Sequence, residues 1–153
     1  MENIILSPIG YVKNNIEIKK DDSWGKDTSV ITLNDEYKGG LLGLNEFSHC
    51  IILFYLNKTR YDSQKHLQRR PRNIADMPLT GIFAQRGKDR PNQIGMTSVK
   101  IVSVSEKELT VQGLDAIDGT PVIDIKPVFK EFLPREKIIQ PEWTSRLMEK
   151  YWG

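Results

Sequence analysis

The chain has 153 residues, with 22 Lys and Arg against 20 Asp and Glu, for a formal net charge of +2. Its 39% apolar content and 11 glycines fall in the ordinary globular range and exclude a chain disordered throughout. The longest unbroken apolar run, Cys50 to Leu56, is seven residues, far short of the ~20 that a membrane helix needs. A length of this order fits one domain, residues 1–153, that buries a core without help from a disulfide or a metal. The single cysteine cannot close an internal disulfide, and with only two histidines beside it no metal site is expected. Met1-Glu2-Asn3 lacks the basic and apolar stretches of a secretory signal, so the expected setting is cytoplasmic.

Ile4 to Val12 reads as a strand with a turn signal at Ser7-Pro8, and Asn14 to Lys26 as a polar loop. Ser29 to Leu33 is a short β-rich run. Asp35 to Phe47 spaces Tyr37, Leu41 and Leu44 as a helix would, shortened by Gly39-Gly40. His49 to Leu56 is a buried strand. Asn57 to Pro78 has no clear period and reads as a long loop of the kind that carries function. Thr80 to Gln85 is a strand. Thr97–Val104 and Leu109–Leu114 form a hairpin across Ser105-Glu106-Lys107-Glu108. Asp118-Gly119 is a turn, and Val122 to Val128 a strand that ends at Pro127, which cannot donate to a ladder. A helix from Glu142 to about Tyr151 closes the chain, with Pro141 suited to its first turn. Strands do not alternate with long helices. The pattern predicts a mainly β fold: a small antiparallel β-barrel with a short helix and a C-terminal helix.

Charge is unevenly distributed. Lys58, Arg60, Lys65, Arg69, Arg70 and Arg72 crowd one segment whose only acid is Asp62, and Arg86, Lys88 and Arg90 follow. Such a local excess on a near-neutral chain fits a phosphate-binding surface. No glycine-rich dinucleotide fingerprint, P-loop or nucleophile elbow is present. Cys50 lies in an apolar run beside His49, and neighbours on a strand point to opposite faces, so the two make no catalytic pair. Two polar segments between strands remain: Gly81 to Gly95, and Gly113 to Pro127 with Asp115, Asp118 and Asp124.

Together these segments resemble the TsaA-like family of tRNA (adenine-N6)-methyltransferases. The matching residues are Pro8-Ile9-Gly10, Gly43-Leu44 with Phe47-Ser48-His49, Arg70-Pro71-Arg72, Gly81-Ile82-Phe83-Ala84, Arg86, Arg90-Pro91-Asn92, Ile94-Gly95, and Leu114-Asp115 through Asp118-Gly119-Thr120-Pro121 to Asp124-Ile125-Lys126-Pro127. They run from about Leu6 to about Phe132. The chain departs from the family in having Gln85-Arg86-Gly87-Lys88 where Thr-Arg-Ser-Pro is common, and Gln93 where proline is common.

The resemblance implies a barrel that binds S-adenosyl-L-methionine without a Rossmann fold, acts as a homodimer, and methylates N6 of threonylcarbamoyl-adenosine beside the tRNA anticodon, with no membrane association. It implies cofactor contacts from Phe83, Ala84, Gln85, Arg86, Arg90, Asn92, Gly95, Leu114, Asp118, Gly119, Thr120 and Pro121. Arg86 suits the cofactor carboxylate because a guanidinium offers a fork that lysine lacks. Asp115, Asp118 and Asp124 are candidates to orient the amine or accept its proton. Lys65, Arg69, Arg70, Arg72, Lys88 and Arg90 would hold tRNA phosphates. Two alternatives stand beside this reading: the same cofactor used on another RNA or a small molecule, and an RNA-binding barrel without catalysis.

Overall fold

Alternation of buried and exposed side chains builds the strands of this protein, whose computed structural model describes residues 1–153. Eight strands form: β1 (Gly10–Lys13), β2 (Thr28–Leu33), β3 (His49–Tyr55), β4 (Gln68–Arg69), β5 (Thr80–Gly81), β6 (Ile94–Val104), β7 (Glu108–Gln112) and β8 (Pro121–Pro127). Six of them close an antiparallel barrel in the order β1-β2-β7-β6-β3-β8, and β4 pairs with β5 in a separate two-stranded sheet. Two helices are present, α1 (Ser63–His66) and α2 (Glu142–Met148). The mainly β barrel with a C-terminal helix is therefore the fold that the sequence predicts.

The core is the barrel interior. Ile31, Ile52, Leu109, Val111, Leu114 and Val122 are fully buried there, and Leu41 and Leu44 close one end. Each such side chain contributes about 1.5–3 kcal/mol by leaving water. Strand direction alternates around the barrel, so connections segregate. The segments 14–27, 56–93 and 113–120 all emerge at one end, and 34–48 and 105–107 at the other. Both polar segments and both basic clusters thus gather at one end, which is called the loop end below.

Several expected boundaries shift. The first strand starts at Gly10 rather than Ile4, because residues 4–8 have no partner strand and Pro8 cannot donate. Asp35 to Phe47 is not a helix but two separate 3-10 turns, Asp35–Tyr37 and Leu44–Glu46. Gly39 and Gly43 sit at φ +86° and +85° and break the helical path. The segment read as a loop contains α1 and β4, with the Asp62 carboxylate capping α1 through Gln64 N at 2.9 Å. The Thr80–Gln85 strand stops at Gly81. A 3-10 turn over Ile82–Ala84 then buries Ile82 and leaves Phe83 exposed. The hairpin forms, but β6 starts at Ile94, ahead of Thr97, and β7 stops at Gln112 because Gly113 takes φ +85°. α2 ends at Met148, not Tyr151, and Pro141 precedes it in extended geometry.

Candidate active site at the loop end of the barrel

β6 is longer than its neighbour. Its residues Lys100 to Val104 pair with β7, whereas Ile94 to Val99 pair only with β3. The free side of this stretch is where the two polar segments meet. The Arg86 guanidinium donates to the Met96 carbonyl at 2.8 Å. The next residue, Thr97, is buried and donates its hydroxyl to Asp115 Oδ1. The Tyr151 hydroxyl donates to Oδ2 of the same carboxylate. The charges of Arg86 and Arg72 both act to lower the Tyr151 ionisation. Burial raises the Tyr151 ionisation well above its ordinary value of 10.0, and the charge and hydrogen bond of Asp115 raise it further, against the two arginines.

Arg90 and Gln85 frame the loop. Gln85 is buried, and its side-chain amide donates to the Arg69 carbonyl at 2.8 Å and to the Thr80 hydroxyl at 2.9 Å. Arg90 donates to the Gln85 carbonyl at 3.0 Å. Asn92 and Gln93 hold left-handed φ values of +62° and +51°, a costly conformation for side-chain-bearing residues that Asn tolerates best. Gln93 is anchored there by its amide, which donates to the Leu56 and Thr59 carbonyls at 2.9 and 2.7 Å. Asn92 is exposed.

The other proposed cofactor contacts divide sharply. Phe83, 78% exposed, and Ala84 lie on the surface beside Arg86. Leu114 is fully buried in the core and offers no side-chain surface to a ligand. Gly95 faces the Phe54 ring, which a Cβ would overlap. Asp118 accepts from Asn14 N at 2.9 Å, Gly119 N donates to the Val12 carbonyl at 2.8 Å, and buried Thr120 bonds its own turn at Ile117. Together with Pro121 at the head of β8, this turn fastens the end of β1. Asp124 faces outward on β8, opposite Leu53 of β3, and pairs with Lys126 at 3.0 Å.

The basic residues also split. Arg69 is mostly buried, pairs with Asp89 at 3.5 Å, and leaves its Nε without a partner. Arg72 pairs with Asp22 at 3.1 Å, and Arg70 donates to the Met77 carbonyl. Lys65 and Lys88 are exposed, and Lys65 has only a loose 3.8 Å pair with Asp62. A cavity of about 280 Å³ lined by Arg72, Asp22, Met77 and Arg146 lies between the 70–77 segment and α2. No three His, Cys, Asp or Glu side chains converge as a metal site would require. No helix is long and apolar enough to cross a membrane.

The sequence model of the tRNA-methyltransferase O N-terminal domain matches residues 13–132. The chain belongs to this family. Among relatives of the tRNA-methyltransferase O domain, an S-adenosyl-L-methionine-binding protein of Archaeoglobus fulgidus is 35% identical over 80% of this chain and 88% of its own length. The human tRNA (adenine(37)-N6)-methyltransferase is 30% identical over 91% of this chain, which spans only 33% of that enzyme. A crystal structure of TrmO from Pseudomonas aeruginosa superposes with TM-score 0.73 at 23% identity, covering 94% of this chain and 62% of that one. That likeness establishes the barrel as the tRNA-methyltransferase O fold.

Thr97 and Tyr151 escape the sequence reading of this tRNA-methyltransferase O domain. Thr97 does leave a trace, since it is the one polar residue among the inward positions Thr97, Val99 and Ile101 of β6. Tyr151 leaves none beyond an aromatic pair near the chain end.

Proposed function

We propose that the loop end of the barrel binds S-adenosyl-L-methionine and transfers its methyl group to an adenine N6 of tRNA, the acceptor being threonylcarbamoyl-adenosine beside the anticodon. The observation that carries this reading is the convergence of Arg86 and Asp115 on the stretch of β6 that pairs with β3 but not with β7, within the only end of the barrel where basic loops gather. The donor set suits a zwitterionic ligand. A guanidinium is available for the carboxylate, and Phe83, three residues before Arg86 in the chain and 78% exposed, offers a ring for an adenine face.

When bound, S-adenosyl-L-methionine supplies an electrophilic methyl group on a cationic sulfur. The chain's task is to align donor and acceptor, a contribution that reaches several kcal/mol. Arg86 orients the donor end, and its position is set by the Met96 carbonyl. Asp115 orients the exocyclic amine and receives its proton. Each of its oxygens accepts one hydroxyl and keeps a further lone pair for this role. Asp118 and Asp124 are engaged elsewhere, which favours Asp115 among the three. Asn92 adds a strained, exposed amide to the cofactor side. Lys65 and Lys88, with Arg70, hold tRNA phosphates, whereas Arg69 and Arg72 brace the loops that present them.

Residues 1–153 act as one domain in the cytoplasm, where tRNA is modified. The chain works as a homodimer. Phe132, Ile138 and Ile139 are 85, 68 and 89% exposed on the stretch that leaves β8, which is a surface a second copy would cover. Light scattering tests the dimer, and a mass of a single chain would refute it.

Incubation with methyl-labelled cofactor and bulk tRNA tests the reaction. Label in tRNA that carries the threonylcarbamoyl group, and none in tRNA lacking it, is the expected result. Cofactor binding without label transfer would favour the RNA-binding alternative.

A further inference from the structure

The last residues lie beyond the span that matches the family, 13–132, yet one of them reaches the candidate site. After α2 the backbone runs along the loop at 23–25. Ser23 N donates to the Lys150 carbonyl at 3.0 Å, Trp24 N to that of Tyr151 at 2.9 Å, and Gly25 N to that of Trp152 at 3.1 Å. Trp24 is buried beneath this contact, and Arg146 pairs with Asp76 at 3.1 Å. The tail is therefore docked by several independent bonds, and the docking delivers the Tyr151 hydroxyl to Asp115 Oδ2.

We propose that Tyr151 is a positioning residue for Asp115: the C-terminal tail supplies the second hydroxyl donor that fixes the orientation of this carboxylate. A carboxylate bonded at one oxygen can still turn about its Cβ–Cγ bond. Asp115 is bonded at both, from β6 through Thr97 and from the tail through Tyr151. The phenol suits the task because burial and the neighbouring carboxylate keep it protonated, hence always a donor. Besides Asp115, the charged groups that act on it are Arg86 and Arg72, which work in the opposite direction. This inference rests on the methyl-transfer reading of the same site.

Tyr151→Phe in the full chain removes the hydroxyl and keeps the ring that packs edge-on to Trp152 at 4.9 Å. The expected result is a kcat lower by about tenfold with the cofactor Kd changed by less than about twofold, the signature of lost alignment rather than lost binding. An unchanged kcat overturns the proposal, as does a loss of activity that only tracks a lower melting temperature. A second measurement does not depend on catalysis. In protein carrying ¹³C-labelled tyrosine, Asp115→Asn should move the Tyr151 ionisation down toward the ordinary range, because a charge and a strong acceptor are gone. An unmoved resonance overturns the contact. If the unaltered chain methylates no tRNA, the functional reading fails instead, and the tyrosine titration still decides whether the tail bonds Asp115.

Discussion

Asp115 and Arg86 carry opposite charges, bond adjacent residues of β6, Thr97 and Met96, and are held there by different means. Arg86 has a backbone carbonyl as its anchor and remains exposed, so its other nitrogens are free for a ligand carboxylate. Arg86→Ala should weaken S-adenosyl-L-methionine binding by about 10–100-fold, the range of a lost charge-assisted bond of about 1.5–3 kcal/mol. Arg86→Lys should recover only part of this, because an ammonium cannot form the fork. Calorimetry with the cofactor checks both, and normal binding by the alanine variant would remove Arg86 from the site. Gln85 belongs to a different class although it is adjacent. Its amide holds Arg69 and Thr80 from a buried position, so Gln85→Ala should cost stability of about 1–3 kcal/mol by stranding buried acceptors. Denaturant unfolding would register that loss.

Most strands were legible because period-2 alternation survives in them, as in Leu109 and Val111 against Thr110 and Gln112. The helix read over Asp35 to Phe47 was not, because Leu41 and Leu44 sit at helical spacing for another reason: the connection between the two 3-10 turns and the start of the second turn both bury their leucine at the end of the barrel. The Arg86 loop was legible as a dense polar segment after β5. Its internal division was not, since burial of Gln85 and exposure of Phe83 depend on a 3-10 turn that no local pattern announces. Leu114 and the Asp118–Pro121 turn share a motif with Asp115, yet the Leu114 side chain packs in the core and the turn bonds the end of β1. Motif membership locates a segment, and only packing separates its exposed members from its buried ones. The long 56–93 connection illustrates the same division for charge. Of its cations, Lys65 and Lys88 are free to meet phosphate, whereas Arg69 is committed to Asp89. The Lys65→Ala, Lys88→Ala double variant should therefore flatten the dependence of log K on log salt for tRNA by about two, with cofactor binding unchanged. Filter binding across a salt series measures that slope.

The closed barrel couples these parts. Its antiparallel order sends three connections to the loop end, and the tail returns from the opposite end to lock against the 23–25 loop. Two weak acids, buried Cys50 and half-buried Tyr151, contribute to its alkaline behaviour. Burial pushes the Cys50 thiol from its ordinary 9.0 up to about 12, and Tyr151 is raised as well. Both folded values exceed the unfolded ones. Their stabilising effect is therefore fully present below pH 9 and is lost as pH rises from there through the folded values. Melting temperature should fall steadily above pH 9, and less steeply in Cys50→Ala measured against its own neutral value. Thiol reagents should label Cys50 only on unfolding, since the residue is fully buried.

A crystal structure with S-adenosylhomocysteine bound addresses the arrangement as a whole. The ligand is expected between the Arg86 loop and Asp115, with its carboxylate on the Arg86 guanidinium. A ligand seated elsewhere, for instance in the cavity of about 360 Å³ lined by Lys13, Asn15, Thr28 and Glu108 on the far side of β2, would contradict it.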